Sequence, residues 1–227
     1  VFPYGLETSL LIVNAFSFVV FPVSTLLFRF KRKEKKALDT WALYFEPMKA
    51  FSFRAGQFLE WTYPHKNADA RGLRRYFTIA SSPQEKEVCV TMRTAEKSSS
   101  FKKALLAMNK GEELVAVGPQ GNFVLPDDKN MPLCFVAGGI GVTPFRSIIA
   151  SLLEKGEKRD IVLFYANSSE EEIAFKDLFD EAKRVGVKTF YIVSSRDGHI
   201  DAPMIESKVP DYKQRMFYVS GPQPMVD

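Results

Sequence analysis

The sequence predicts an N-terminal transmembrane helix, then an antiparallel β-barrel, then an α/β domain built on a parallel sheet. Three observations carry this prediction. Thr8 to Phe28 contains no charged residue, and the basic run Arg29 to Lys36 follows it directly. From Thr40 to Pro126, short aromatic and β-branched pieces recur between turn residues, as close antiparallel strands require. From Met131 onward, continuous apolar strands alternate with amphipathic stretches, which implies a parallel sheet covered on both faces.

The apolar stretch has about the length that crosses a bilayer's hydrocarbon core, roughly 20 residues. "RFKRKEKK" then sets six positive charges against one negative, the pattern of a cytoplasmic flank. Charges that follow the apolar stretch, with no small-residue cleavage site, argue against a secretory signal. The expected localisation is therefore the membrane, with the remaining domains on the cytoplasmic side and membrane lipid as a partner. A buried core helix is the alternative. The alternation of Phe28, Arg29, Phe30 and Lys31 has period two, so Phe28 to Lys33 also reads as a first strand. The chain opens at Val1 without an initiator methionine and stops at Asp227 just after a Gly-Pro turn. Both ends read as cuts, with room for further membrane helices before Val1.

The barrel strands are "TWALYFEP", "GQFLEWTYP", "RRYFTIASS", "EVCVTMRT" and "ELVAVGPQGNFVLP", interrupted by one helical stretch from Ser100 to Asn109. The parallel strands are "LCFVAGG", "DIVLFYANS", "KTFYIVSS" and "RMFYVSG". Helices are expected over Pro144 to Glu154 and Glu170 to Val185, with a weaker one over Met204 to Lys208. The polar linker "LPDDKNMP", Leu125 to Pro132, divides the two. The resulting boundaries are 1–27, 28–127 and 131–227.

Composition narrows the function classes. The net charge is only +4 over 227 residues, with much of the excess in one run, so a general nucleic-acid surface is excluded. Two cysteines in apolar strands and two histidines exclude a disulfide framework, a CxxC clamp and a zinc or haem site; no metal is expected.

Three motifs carry chemistry. Gly138, Gly139 and Gly141 clear side chains from the turn after the first parallel strand, where open α/β sheets bind ligands. Thr143 is placed to cap the next helix and Pro144 fits its first turn, whose free N–H groups would face an anion. A tight turn without a ligand is the alternative. In "RRYFTIASSP", Arg75 and Phe77 share a strand face and Thr78 follows. A guanidinium there suits a phosphate, an aromatic ring suits a flat heterocycle, and a hydroxyl suits a ring nitrogen. A snorkelling arginine on a half-exposed strand is the alternative. Ser98, Ser99 and Ser100 precede a helix and form either a second anion site or a simple cap.

In this order the motifs resemble the ferredoxin–NADP reductase superfamily, over roughly Phe28 to Asp227. Its members pair a flavin-binding antiparallel barrel with a nicotinamide-nucleotide-binding α/β domain. The resemblance implies that Arg75 binds the FAD pyrophosphate, Phe77 packs on the isoalloxazine, and Thr78 hydrogen-bonds near flavin N5. It adds Tyr76, Met92 and Arg93 to the cofactor-binding residues. Ser98 to Ser100 match the second phosphate-binding turn, with Lys97 in place of a usual glycine. "AGGIGVTP" matches the turn for NAD(P)H in the proline form that this family uses. "SGPQPM" matches the segment beside the nicotinamide: Gly221 and Pro222 are kept, while Ser220 replaces a frequent cysteine. Thr78 and Ser220 are the implied catalytic residues, and the Ser220 replacement puts the rate of hydride transfer in question. The family's closing strand, often ending in an aromatic, is absent after Asp227.

The function so implied is a membrane-tethered oxidoreductase passing electrons from NADPH or NADH through FAD to an acceptor. No iron–sulfur cysteine pattern is present, so that acceptor is an upstream membrane domain, a separate redox protein or a free oxidant. The alternative is a nucleotide-binding sensor or scaffold that does not turn over. Acidic "NSSEEEIAF" disfavours a ribose phosphate, whereas Ser195-Arg196 resembles the pair that holds one, which tips the choice slightly toward NADPH.

Overall fold

The computed structural model describes residues 25–94 and 98–226. Six antiparallel strands build the first half. β1 (Thr25–Ala37), β2 (Thr40–Pro47), β3 (Phe58–Thr62), β4 (Arg74–Thr78), β5 (Val88–Arg93) and β6 (Glu113–Gln120) form one sheet. Its order is β4-β3-β6-β1-β2-β5, and every pairing is antiparallel. The edges curl together where Ala80 N–H donates to the Cys89 carbonyl at 2.8 Å. Phe28, Phe45 and Trp61 fill the centre, with Trp61 4.7 Å from Phe28 and 5.0 Å from Phe45. Helix α1 (Ser100–Ala107) lays Phe101 and Leu105 into the same core.

The expected spanning helix is corrected here. Thr25 to Phe28 belongs to β1 and pairs with β6, Leu26 opposite Ala116 and Phe28 opposite Leu114. Residues 1–24 of the expected segment lie outside the described residues. No helix among the described residues is long and apolar enough to cross a membrane. The basic run is the rest of β1, and its cations meet carboxylates. Arg29 pairs with Glu113 at 2.9 Å, Lys31 with Glu46 at 3.0 Å, and Arg32 with Glu34 and Glu87. Apolar length followed by positive charge looks the same in sequence whether the charges flank a bilayer or line a strand. The distant partners on β2 and β6 decide between them. The basic run is a strand and not a cytoplasmic flank, so the membrane localisation, the cytoplasmic orientation and the lipid partner expected from it lose that support.

The second half is a four-stranded parallel sheet in the order β10-β7-β8-β9. Its strands are β7 (Leu133–Gly138), β8 (Ile161–Asn167), β9 (Val187–Val193) and β10 (Met216–Ser220). Leu133, Phe135 and Ala137 face helices α2 (Thr143–Lys155) and α3 (Lys176–Glu181). Cys134 and Val136 face the other way, toward Met204 and Ile205 of α5 (Ala202–Lys208), which follows the short α4 (Ser194–Asp197). A last helix, α6 (Gln223–Val226), follows β10. Two helix expectations change. The stretch Glu170 to Val185 is interrupted at Phe175, whose φ of 59° breaks the helical path before α3. Thr143 is the first residue of α2 rather than its cap, and its hydroxyl donates to the Ile140 carbonyl at 3.2 Å.

Helix α2 fastens the halves together. Ser147 Oγ donates to the Ser81 carbonyl at 2.6 Å, and Arg146 Nη1 donates to the Ala80 carbonyl at 2.8 Å while pairing with Glu85. On the far side, Phe123 sits 5.4 Å from Phe145 and 5.1 Å from Tyr218. The linker is held by Arg159, which donates to the carbonyls of Pro126 at 3.2 Å and Asp128 at 2.8 Å.

Candidate active site at the seam

The carboxyl end of β7 faces the ends of β4 and β5 across the seam. Between them lies a cavity of about 470 Å³, lined by Tyr76, Phe77, Thr78, Met92 and Arg93 from the barrel. From the other side come Gly138, Gly139, Gly141, Thr143 and the β10 exit, Ser220 to Pro222. The size falls within the range of small-molecule and cofactor sites. A second cleft of about 390 Å³, between Arg54, Pro83, Leu125 and Leu152, holds neither motif.

The glycines serve two different ends. A Cβ on Gly141 would lie 2.3 Å from the Ser220 carbonyl oxygen, so glycine here lets the β7 and β10 turns touch. Gly139 has φ +51°, a left-handed conformation that glycine adopts without strain, and its open side faces the Arg93 guanidinium. The first turn is therefore shaped by packing and by clearance into the cavity together.

Arg93 bridges the halves. Its Nε donates to Asp39 in the β1–β2 turn and its Nη2 to Glu172 after β8, each at 2.6 Å. Leu38 N–H, one residue away, donates to the Glu171 carbonyl at 2.9 Å. Three lining residues escaped the sequence reading, Thr91, Lys102 and Ile140. Lys102 Nζ donates to the Arg93 carbonyl at 2.7 Å. Burial, helped by the nearby Arg71 and Arg93, lowers its pKa below the ordinary lysine value. Nothing in "SFKKAL" marks one lysine over the other; only the helix orientation turns Lys102 inward.

Arg75 does not line the cavity wall. Its guanidinium lies over the Phe101 ring, 5.4 Å from the centroid, and Phe77 packs 6.1 Å from the same ring. Ser99 caps α1, its Oγ accepting from Lys102 N–H at 3.3 Å. Ser100 Oγ accepts from Asp69 N–H at 2.9 Å, with His65 Nε2 at 3.0 Å. Arg75 and the serine turn are thus neighbours, joined through Asp69, whose carboxylate takes Arg75 Nη2 at 2.7 Å. Ser195 and Arg196 lie apart from the seam, in α4. Arg196 lines a separate hollow with Glu170, Lys176 and Tyr191. It pairs with Glu170 at 2.6 Å and with Asp197 at 2.9 Å, and it holds the Asp197 carboxyl down to about 2.

These residues fit a flavin at one end and a nicotinamide nucleotide at the other. An aromatic ring and a hydroxyl stand on the barrel wall, and a glycine turn opening a helix stands opposite. Arg75 Nε is buried without a hydrogen-bond partner, a donor left over for an anion. Among the described residues no cluster of metal-ligating side chains occurs.

Comparison with known proteins bears on the fold. Residues 135–227 match the family model described as the oxidoreductase NAD-binding domain. The reductase component of propane 2-monooxygenase from Rhodococcus jostii is 23% identical over 91% of this chain and 59% of its own length. Amycolatopsis cytochrome P450 reductase GcoB superposes with a TM-score of 0.76 at 20% identity, covering 89% of this chain and 63% of that one. Ferredoxin–NADP⁺ reductase from Plasmodium falciparum superposes with a TM-score of 0.70 at 16% identity, covering 86% and 84%. The chain spans about half the length of the curated relatives it matches.

Proposed function

We propose that this chain, which has the fold of the ferredoxin–NADP reductase-like superfamily and an oxidoreductase NAD-binding domain, is an FAD-dependent NAD(P)H oxidoreductase. The observation that carries the reading is the shared cavity, with Phe77 and Thr78 on one wall and the Gly138–Gly141 turn on the other. FAD, when bound, supplies the redox chemistry: it accepts two electrons from reduced nicotinamide and passes them on.

The protein's own part is to hold and orient. Phe77, Tyr76 and Met92 supply the wall for a flat ring, and Thr78 supplies a hydroxyl to a ring nitrogen. Arg75 and Ser98 to Ser100 would take the pyrophosphate. Gly139, Gly141, Thr143 and Pro144 admit the nicotinamide nucleotide, and Ser220, Gly221 and Pro222 flank its ring. Holding two rings at near-attack separation, about 3–3.5 Å, removes much of the entropic part of the barrier. Ser220 offers a hard hydroxyl where a polarizable thiol is frequent, which favours a modest rate.

The nicotinamide choice turns on Arg196. Its charge is already met by Glu170 and Asp197, so a ribose phosphate there would face two carboxylates. This reverses the slight sequence preference and supports NADH. The acceptor is a separate redox protein or a further domain of a longer chain, in keeping with a relative that is a monooxygenase's reductase component.

Stopped-flow mixing of the FAD-loaded full-length protein with NADH or NADPH, without oxygen, tests this. Flavin absorbance should bleach with both, faster with NADH. No bleaching with either, and no ferricyanide-linked nucleotide consumption, would leave a binding module instead.

A further inference from the structure

The two ends of the site are not equally free. At the seam the walls meet an open cavity. At Arg75 an internal carboxylate is already in place. Asp69 lies in the loop between β3 and β4, and its Oδ1 accepts from Arg75 Nη2 at 2.7 Å and from Arg71 N–H at 3.0 Å. Its Oδ2 accepts from the N–H of Ser100, the first residue of α1, at 3.2 Å. Arg75 Nη1 donates to the carbonyls of Arg71, Gly72 and Arg74 at 2.9, 3.1 and 2.6 Å. One carboxylate therefore occupies both groups that a phosphate would use, an arginine fork and the N–H of a helix start. Burial pushes Asp69 up, but the Arg71 and Ser100 N–H groups and the Arg75 guanidinium outweigh it and hold the carboxyl below its ordinary value. The group is charged at neutral pH. The Arg75 side chain is 14% exposed and only its Nε lacks a partner.

We infer that Asp69 is a built-in anion that occupies the pyrophosphate subsite and must release Arg75 when FAD binds, so that it sets the chain's affinity for phosphate-bearing flavins. This rests on the assignment of Arg75 and Ser98 to Ser100 as the phosphate site. Two anions cannot share one guanidinium and one helix start without mutual repulsion. Binding FAD then costs the Asp69 contacts, whereas a flavin without phosphate leaves them untouched. Asp69 thereby narrows the difference in affinity between FAD and riboflavin.

Titration of the full-length wild-type chain and Asp69→Asn with FAD and with riboflavin, read by flavin fluorescence, tests the idea. The amide keeps the shape and removes the charge. Asp69→Asn should bind FAD about tenfold more tightly, the scale of one charge-assisted contact, and riboflavin unchanged. Equal or weaker FAD binding by the variant overturns the inference, and so does equal tightening toward both flavins. A wild-type chain that binds no FAD at all refutes the functional reading instead. Because Asp69 also braces its loop, a structure of the FAD-loaded wild type provides an independent test. The Asp69 to Arg75 distance should open beyond about 4 Å, the limit of an ion pair. A contact kept at 2.7 Å with FAD bound would refute the proposal without any variant.

Discussion

At the residue scale, the two ends of the flavin motif should separate in experiment. Arg75→Ala removes the guanidinium and leaves the Asp69 charge facing the phosphate site, held by Arg71 and Ser100 alone, so FAD affinity should fall at least about tenfold in a fluorescence titration. Thr78→Ala keeps that end intact. Its FAD content should be normal, while flavin reduction slows by about ten- to a hundredfold in stopped flow. If both variants keep wild-type affinity and rate, the residue roles are wrong. The cysteines illustrate the opposite kind of residue. Burial pushes the thiols of Cys89 and Cys134 up to about 11. Neither should react with a disulfide reagent at pH 8 until the chain unfolds. Because the folded values exceed the ordinary one, their contribution to stability is complete below about pH 8.5 and is lost as pH rises toward 11. Urea midpoints measured across that window should fall.

At the element scale, α2 does two jobs. Its first turn closes the glycine loop, and its body docks on the segment after β4. Ser147 is fully buried and spends its hydroxyl on the Ser81 carbonyl. Ser147→Ala should cost about 1–3 kcal/mol in urea unfolding, because a buried carbonyl loses its donor. The strands on both sides were legible in the sequence, since short aromatic and β-branched pieces between turn residues mark the barrel and continuous apolar runs mark the parallel sheet. The helix from Glu170 was only partly legible. Amphipathic spacing runs straight through Phe175, and nothing local reveals that the chain turns left-handed there. The role expected of Thr143 differs by one position for a similar reason. A tight 3-10 turn at Gly139–Val142 supplies the helix start that a side-chain cap would otherwise provide.

At the scale of the whole molecule, the seam is what matters, and Arg93 ties it. The guanidinium is 38% exposed, so its two ion pairs add about 1 kcal/mol or less each to stability. Their larger effect is on alignment. Arg93→Ala should slow flavin reduction roughly tenfold, since misplacement of about 1 Å is costly to the rate. Arg93→Lys should recover part of the loss, because one of the two carboxylates can still be met. An unchanged reduction rate in Arg93→Ala would show that α2 alone sets the alignment.

The amino-acid sequence by itself determined the succession of strands, the glycine turn and the arginine–aromatic–threonine strand, because each is written in residues close together along the chain. Tertiary structure alone decided what those pieces face. It turned the basic run into a barrel strand whose charges find carboxylates on β2 and β6. It set Asp69 on Arg75, joined Arg93 to Glu172 and turned Lys102 toward the cavity. The Arg93 to Glu172 pair joins residues far apart in sequence, and the Asp69 to Arg75 pair depends on how the β3–β4 loop folds back; no local spacing encodes either.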